Sequence, residues 1–279
     1  MSDLKGKTFL VSGANTGIGK VTARVLAGRG ARVVIAGRSE EKTRAAMKEI
    51  ADETGNTDLD FVALDLGDLA SVRTAAETVL ASGEPLHVLI NNAGLAGTRG
   101  MTSSGFEIAF GTNHVGTFLF TELLRDHIAA SGPGRIVNVA STAHYRPKGI
   151  DWDAVRRTTV TRTGFDEYSV SKLANVLHAQ ELGRRLEGTG VTTYSLHPGA
   201  VASDVWREVP IGLRQVMKLF MKSTEQGAQT SLYCATSPDV AGQTGRYYDN
   251  QREKTPAKVV TPELAAELWE RSEAWIKES

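Results

Sequence analysis

Short runs rich in β-branched and apolar residues alternate along this chain with longer stretches whose apolar positions recur at helical spacing. The runs at Thr8–Ser12, Arg32–Ala36, Asp60–Leu64, Val88–Asn91, Arg135–Ala140 and Thr192–Leu196 predict six strands, and Tyr247 is placed at the end of a seventh. Helical spacing occupies the segments near 17–29, 40–53, 68–82, 105–130, 166–187, 224–236 and 262–276, the last with Pro262 as a first-turn proline. Strand–helix alternation of this kind predicts an α/β architecture. Right-handed crossovers then favour a doubly wound domain, with a central parallel sheet of about seven strands flanked by helices on both faces. No linker or low-complexity tract interrupts the pattern, so one domain over 1–279 is expected.

Two segments break the rhythm. His144 to Phe165 is polar and without clear period. Val205 to Met221 is too apolar for a solvated loop, and a substrate lid over 203–223 is expected there; a helix packed on the core or on another subunit would have the same composition.

Charge and composition narrow the function. Thirty-two Lys and Arg balance thirty-two Asp and Glu, so no bulk attraction to nucleic acid or an anionic membrane is expected, although a local phosphate site is compatible with it. The single cysteine, Cys234, sits in an apolar run and reads as a buried thiol; neither an intramolecular disulfide nor a cysteine metal site is available to it. The six histidines include no His-x3-His pair, and no metal is expected. The first apolar run, Phe9–Val11, is too short for a signal-peptide core, and nowhere do about 18 apolar residues run together. The expected compartment is cytoplasmic, with no membrane span.

Ser12-Gly13-Ala14-Asn15-Thr16-Gly17-Ile18-Gly19 follows the first strand and opens the first helix. Glycines there let the backbone turn sharply and approach a pyrophosphate, and the amide end of the helix favours its charge. The second strand runs into Gly37-Arg38-Ser39 with no acid at its end. A guanidinium there would grip a ribose 2′-phosphate that a carboxylate would repel, so NADP(H) is expected, the alternative being a solvated Arg38. Glu40 and Glu41 should face outward. Asp65, followed by Leu66, could hold an adenine amino group, or Asp65 or Asp68 could simply cap the next helix. Asn92-Ala93-Gly94, at the end of the fourth strand, suits a wall beside the cofactor.

Tyr168 and Lys172, four apart, share one helix face. A tyrosine titrates near ~10 in isolation, and an adjacent ammonium favours its phenolate. The pair suits acid–base chemistry at an alcohol oxygen. Ser141 ends the fifth strand, where a hydroxyl could orient that oxygen or merely cap a turn. Asn113 lies inside a long helical run where Asn is disfavoured, which suggests a local kink that frees backbone groups for a water, the alternative being a tolerated surface position.

Gly13-x3-Gly17-x-Gly19, Asn91-Asn92-Ala93-Gly94, Asn113, Ser141, Tyr168-x3-Lys172 and Pro198-Gly199 together resemble the short-chain dehydrogenase/reductase family over nearly the whole chain. The stretches from Tyr168 and from Gly190 look like its retinol dehydrogenase-like branch. The resemblance implies a Rossmann fold and a hydride transfer between nicotinamide and an alcohol/carbonyl substrate. It implies Tyr168 as general acid/base, and Lys172 as holder of the nicotinamide ribose and depressor of the Tyr168 pKa. Ser141 would orient the substrate, and Asn113 would support a water relay to Lys172. Pro198, Gly199, Val201 and Ser203 would lie at the nicotinamide. A homodimer or homotetramer through the long helices is implied as well. The N-terminal anchor common in eukaryotic members of that branch is not in this sequence, so a generic lipophilic aldehyde or ketone is the expected substrate. The alternative is a catalytically silent NADP(H)-binding sensor, which would be expected to lose Tyr168 or Lys172. A hydrolase is disfavoured, because no Gly-x-Ser-x-Gly elbow exists.

Overall fold

A computed structural model describes residues 3–199 and 223–278. The expected alternation is present as β1 (Thr8–Ser12), α1 (Gly17–Gly28), β2 (Arg32–Gly37), α2 (Glu40–Thr54), β3 (Leu59–Ala63), α3 (Leu69–Ala81) and β4 (Val88–Asn91). A short helix α4 (Ile108–Phe110) then leads through a π-helical turn, Gly111–Gly116, into α5 (Thr117–Ala130) and β5 (Arg135–Val139). The described chain continues with α6 (Phe165–Arg185), β6 (Thr192–His197), α7 (Thr224–Thr236), β7 (Arg246–Asp249), β8 (Arg252–Glu253) and α8 (Pro262–Lys277).

The strands form one sheet in the order β3-β2-β1-β4-β5-β6-β7-β8, parallel throughout except for β8. Among the described residues the sheet has eight strands, in keeping with the expected sheet of about seven. The extra one is a two-residue antiparallel edge turned by Asn250 and Gln251, both at positive φ, and two residues carry no readable period. Tyr247 lies inside β7 rather than at its end.

Successive strand residues feed opposite faces, as the two-residue period of a strand requires. Leu10, Leu89 and Ile136 join a core with α3, α5, α6 and α8, in which Trp269 is fully buried. Phe9, Val11, Ile90 and Val137 join the other, with α1, α2 and α7. Burying both faces explains why the strands read as apolar runs. Truncating Trp269 to alanine would cost about 3–5 kcal/mol.

Local signals fix the helix ends. The Ser39 side chain accepts from Lys42 N at the start of α2, and Asp68 accepts from Ala70 N at the start of α3. Thr261 accepts from Leu264 N, with Pro262 in the first turn of α8. Among the described residues no helix is long and apolar enough to cross a membrane.

Candidate active site

The order of the strands reverses between β1 and β4, whose carboxyl ends stand side by side. Open α/β sheets bind ligands at such a point. Here it opens into a cleft of about 990 Å³ lined by the glycine turn, the ends of β2, β4 and β5, and the first turns of α6.

The glycine turn is tightly built against β4. A Cβ on Gly13 would stand 2.9 Å from Ala93 Cα, and one on Gly19 would meet Asn92 Nδ2 and Gly13 O at 2.5 Å. Ser12, which carried no signal in the sequence, is the clasp. Its hydroxyl accepts from Asn92 N at 3.1 Å and Ala93 N at 3.0 Å, while Asn92 Nδ2 donates to Ser12 O at 2.8 Å. Unlike α2 and α3, α1 has no side-chain cap from Thr16, and Asn15, Thr16, Gly17, Ile18 and Gly19 line the cleft. This is the cradle a dinucleotide pyrophosphate needs, so the residues present fit that group.

Arg38 lines the same cleft at the end of β2, while Glu40 and Glu41 are exposed on α2, Glu40 pairing with Arg44. Asp65 and Leu66 line it too; Asp65 Oδ1 accepts from Gly67 N at 2.9 Å, and Asp68 is the residue that caps α3. Asn92, Ala93 and Gly94 form the wall, and Pro198 and Gly199 close the β6 side. Val201 and Ser203, with nearly all of the segment expected as a lid, lie outside the described residues. Lys20, Lys42, Glu49, Thr112, Leu95, Arg146 and Phe165 also line the cleft, and sequence reasoning passed over them. Lys42 was readable as the first-turn cation of α2, whereas Arg146 sits in an aperiodic segment.

Ser141, Tyr168 and Lys172 come together where β5 ends against α6, all three lining the cleft. Tyr168 is buried, which raises its pKa above the ordinary tyrosine value; the adjacent Ser141 hydroxyl, hydrogen-bonded to it, pulls the other way. Lys172 lies one turn on, its Nζ 5.7 Å from the Tyr168 ring centroid and donating to Val139 O at 2.8 Å. Burial lowers Lys172 to about 8. Burial thus raises Tyr168 where a depression by Lys172 was expected, and the ammonium is turned to a backbone carbonyl.

Asn113 stands in the π-turn, so the expected interruption of the 105–130 helix occurs at this residue. Its side chain donates to Leu95 O at 3.0 Å and Ser171 Oγ at 2.9 Å and accepts from Leu95 N at 2.9 Å. Gly94 lies beside both groups: a Cβ there would be 3.2 Å from Asn113 Oδ1 and 3.4 Å from Lys172 Nζ. Across the turn, a Cβ on Gly116 would be 2.1 Å from Leu66 O, so only glycine permits this approach.

The histidines divide as core and rim. His144 is buried, its Nδ1 2.7 Å from Ser141 O and its Nε2 accepting from Ala257 N, while His197 lines the cleft. No group of three or more candidate metal ligands occurs among the described residues. Cys234 is buried, and burial pushes its thiol well up.

The mostly parallel sheet with helices on both faces agrees with what comparison finds. A short chain dehydrogenase profile matches residues 7–152. The human dehydrogenase/reductase SDR family member 13 is 44% identical over 279 residues, covering 98% of this chain and 74% of its own.

The chain belongs to the short-chain dehydrogenase family.

Its relatives include human retinol dehydrogenase 12, 44% identical over 270 residues and covering 95% of this chain and 85% of its own, so it stands with the retinol dehydrogenase-like members. A crystal structure of an uncharacterized protein from Mycobacterium paratuberculosis superposes with a TM-score of 0.79 at 31% identity, covering 99% of this chain and 96% of that one. The actinorhodin polyketide ketoreductase crystallised with NADPH gives 0.68 at 26% identity, covering 89% and 96%. Short-chain dehydrogenases are nicotinamide-dependent oxidoreductases of small molecules, and the fold is that of the family.

Proposed function

We propose that this short-chain dehydrogenase is an NADP(H)-dependent oxidoreductase interconverting a lipophilic aldehyde or ketone and its alcohol. The observation that carries the reading is the meeting of Ser141, Tyr168 and Lys172 at one end of a cleft whose other end presents Arg38 and no carboxylate from β2. When bound, the nicotinamide supplies or accepts the hydride. The protein's own residues hold and move the proton.

Tyr168, raised by burial, keeps its phenolic proton at neutral pH and is placed to give it to a carbonyl oxygen. The Ser141 hydroxyl orients that oxygen, and Lys172 holds the nicotinamide ribose. Asn113 pins Leu95 to α6 through Ser171, which keeps the π-turn beside Lys172 and supports the water-linked resupply of the proton. Arg38 grips the 2′-phosphate. Leu95, Ala96, Ala143 and Phe165 give the substrate end an apolar lining. Val201 and Ser203 are assigned to the nicotinamide, and 203–223 to a lid, as part of the same proposal. Self-association through α5 and α6 and a cytoplasmic setting complete it.

The test is NADPH oxidation across aldehydes and ketones of graded size. Tyr168→Phe should bind NADPH like the wild type and lose at least about a thousandfold in turnover. Retained turnover would remove Tyr168 as the acid. Arg38→Asp should weaken NADPH far more than NADH; equal weakening would refute the 2′-phosphate contact.

A further inference from the structure

Arg146 follows the turn of 3₁₀ helix that begins after Ser141, and its guanidinium stands over the Phe165 ring, 5.0 Å from the centroid. Phe165 in turn neighbours Tyr168, their rings 5.8 Å apart. Tyr168, Phe165 and Arg146, each next to the one before, all line the cleft. Leu95, Ala96 and Ala143 line it as well.

The charge there is lopsided. Among the described residues Arg146 has one ion-pair partner, Asp166, reached through Nη2 at 3.1 Å. Arg146 lines the cleft and Asp166 does not. Its Nε and Nη1 make no hydrogen bond among the described residues. A guanidinium stacked on an aromatic face, with donors of its fork unused, is pre-organised for a carboxylate. Exposed ion pairs such as Arg146–Asp166 contribute little, so a ligand carboxylate can compete for the fork.

We infer that Arg146 is an anion subsite at the substrate end of the cleft, and that the substrate is an amphipathic carbonyl compound: a reacting aldehyde or ketone, an apolar body and a terminal carboxylate. This rests on the redox reading of Tyr168 and extends it to the far end of the substrate.

The test separates the two. Binding of decanoate and of decan-1-ol to the protein–NADPH complex is measured by calorimetry, together with turnover of ω-oxodecanoate and its methyl ester. Wild type should bind decanoate at least about tenfold more tightly than the alcohol and show a matching KM advantage for the free acid over the ester. Arg146→Met should bring both ratios to within about twofold, and Arg146→Lys should keep part of the preference. Equal wild-type affinities, or ratios unmoved in Arg146→Met, would overturn the subsite. Carboxylate preference without reduction of either aldehyde would uphold the subsite and sink the redox reading. Reduction without carboxylate preference would do the reverse.

Discussion

The Lys172 ammonium is bound to the Val139 carbonyl oxygen at 2.8 Å, within a core that lowers it to about 8. One carbonyl does not replace the water a lysine gives up on burial. The folded protein thus resists protonating this amine, while the unfolded chain holds the proton up to about 10.5. The stability cost is fully present below about 8 and vanishes as pH rises toward 10.5. Lys172→Met should therefore gain roughly 2 kcal/mol at pH 7, net of the lost hydrogen bond, and abolish turnover. Thermal unfolding at pH 7 and pH 10 checks this: the advantage over wild type should shrink at the higher pH.

The direction of the Tyr168 shift sets the pH dependence of the chemistry. A raised phenol is a competent acid throughout the neutral range and a poor base there. Carbonyl reduction should hold its rate from about pH 6 to 9 and fall only above ~10. Alcohol oxidation should climb over the same range. Steady-state rates in both directions provide the measurement, and a reductive rate falling below pH 8 would contradict it.

Gly94 stands between Asn113 and Lys172. The new Cβ of Gly94→Ala would press on the carboxamide at 3.2 Å and touch the amine at 3.4 Å. Turnover should drop about tenfold or more, with under ~1.5 kcal/mol lost in stability, because both contacts are side-chain ends that can shift. Gly19→Ala differs: its Cβ would strike the Gly13 carbonyl, a backbone atom. Cofactor affinity and stability should fall together, read by NADPH titration and urea unfolding.

His114 and His178 lie in the core beside Phe118, with His178 also against Trp269. Burial holds His178 down to about 3 and His114 well below its ordinary value. Both are neutral when folded and take up protons near 6.5 when unfolded. Their contribution is complete above about pH 6.5 and is lost as pH falls below it, for His178 down to about 3, at about 1.4 kcal/mol per histidine per pH unit. His178→Phe should flatten the decline in urea stability between pH 6.5 and 4.5; an unchanged slope would show that other groups govern it.

What the sequence made legible follows from how local each signal is. The strands announced themselves because burial on two faces demands unbroken apolar runs, and Gly13 to Gly19 because only glycine tolerates that contact with Ala93 and Asn92. Tyr168, Lys172 and Ser141 were readable through helix spacing and strand ends. Ser12 was not, since a serine ending a strand looks alike whether or not two amides from β4 come to meet it. Arg146 was hidden because its importance lies in what stands beside it across the cleft, and β8 because it is too short to have a pattern. The electrostatics of Lys172 were misread for a related reason: residue spacing shows that two groups are near, but not what burial does to each.

The wide turn at Gly111–Gly116 has a further implication. A π-turn is an α-helix carrying one surplus residue, and each residue swings a helix by about 100°. Deleting any position in that turn other than Asn113 would restore regular helix and rotate Asn113 out of its place against Leu95 and Ser171, although no functional side chain had been removed. The count of residues before α5 is thus as much a part of the reactive geometry as their identity, and a shortened variant with every signature residue intact should still be inert.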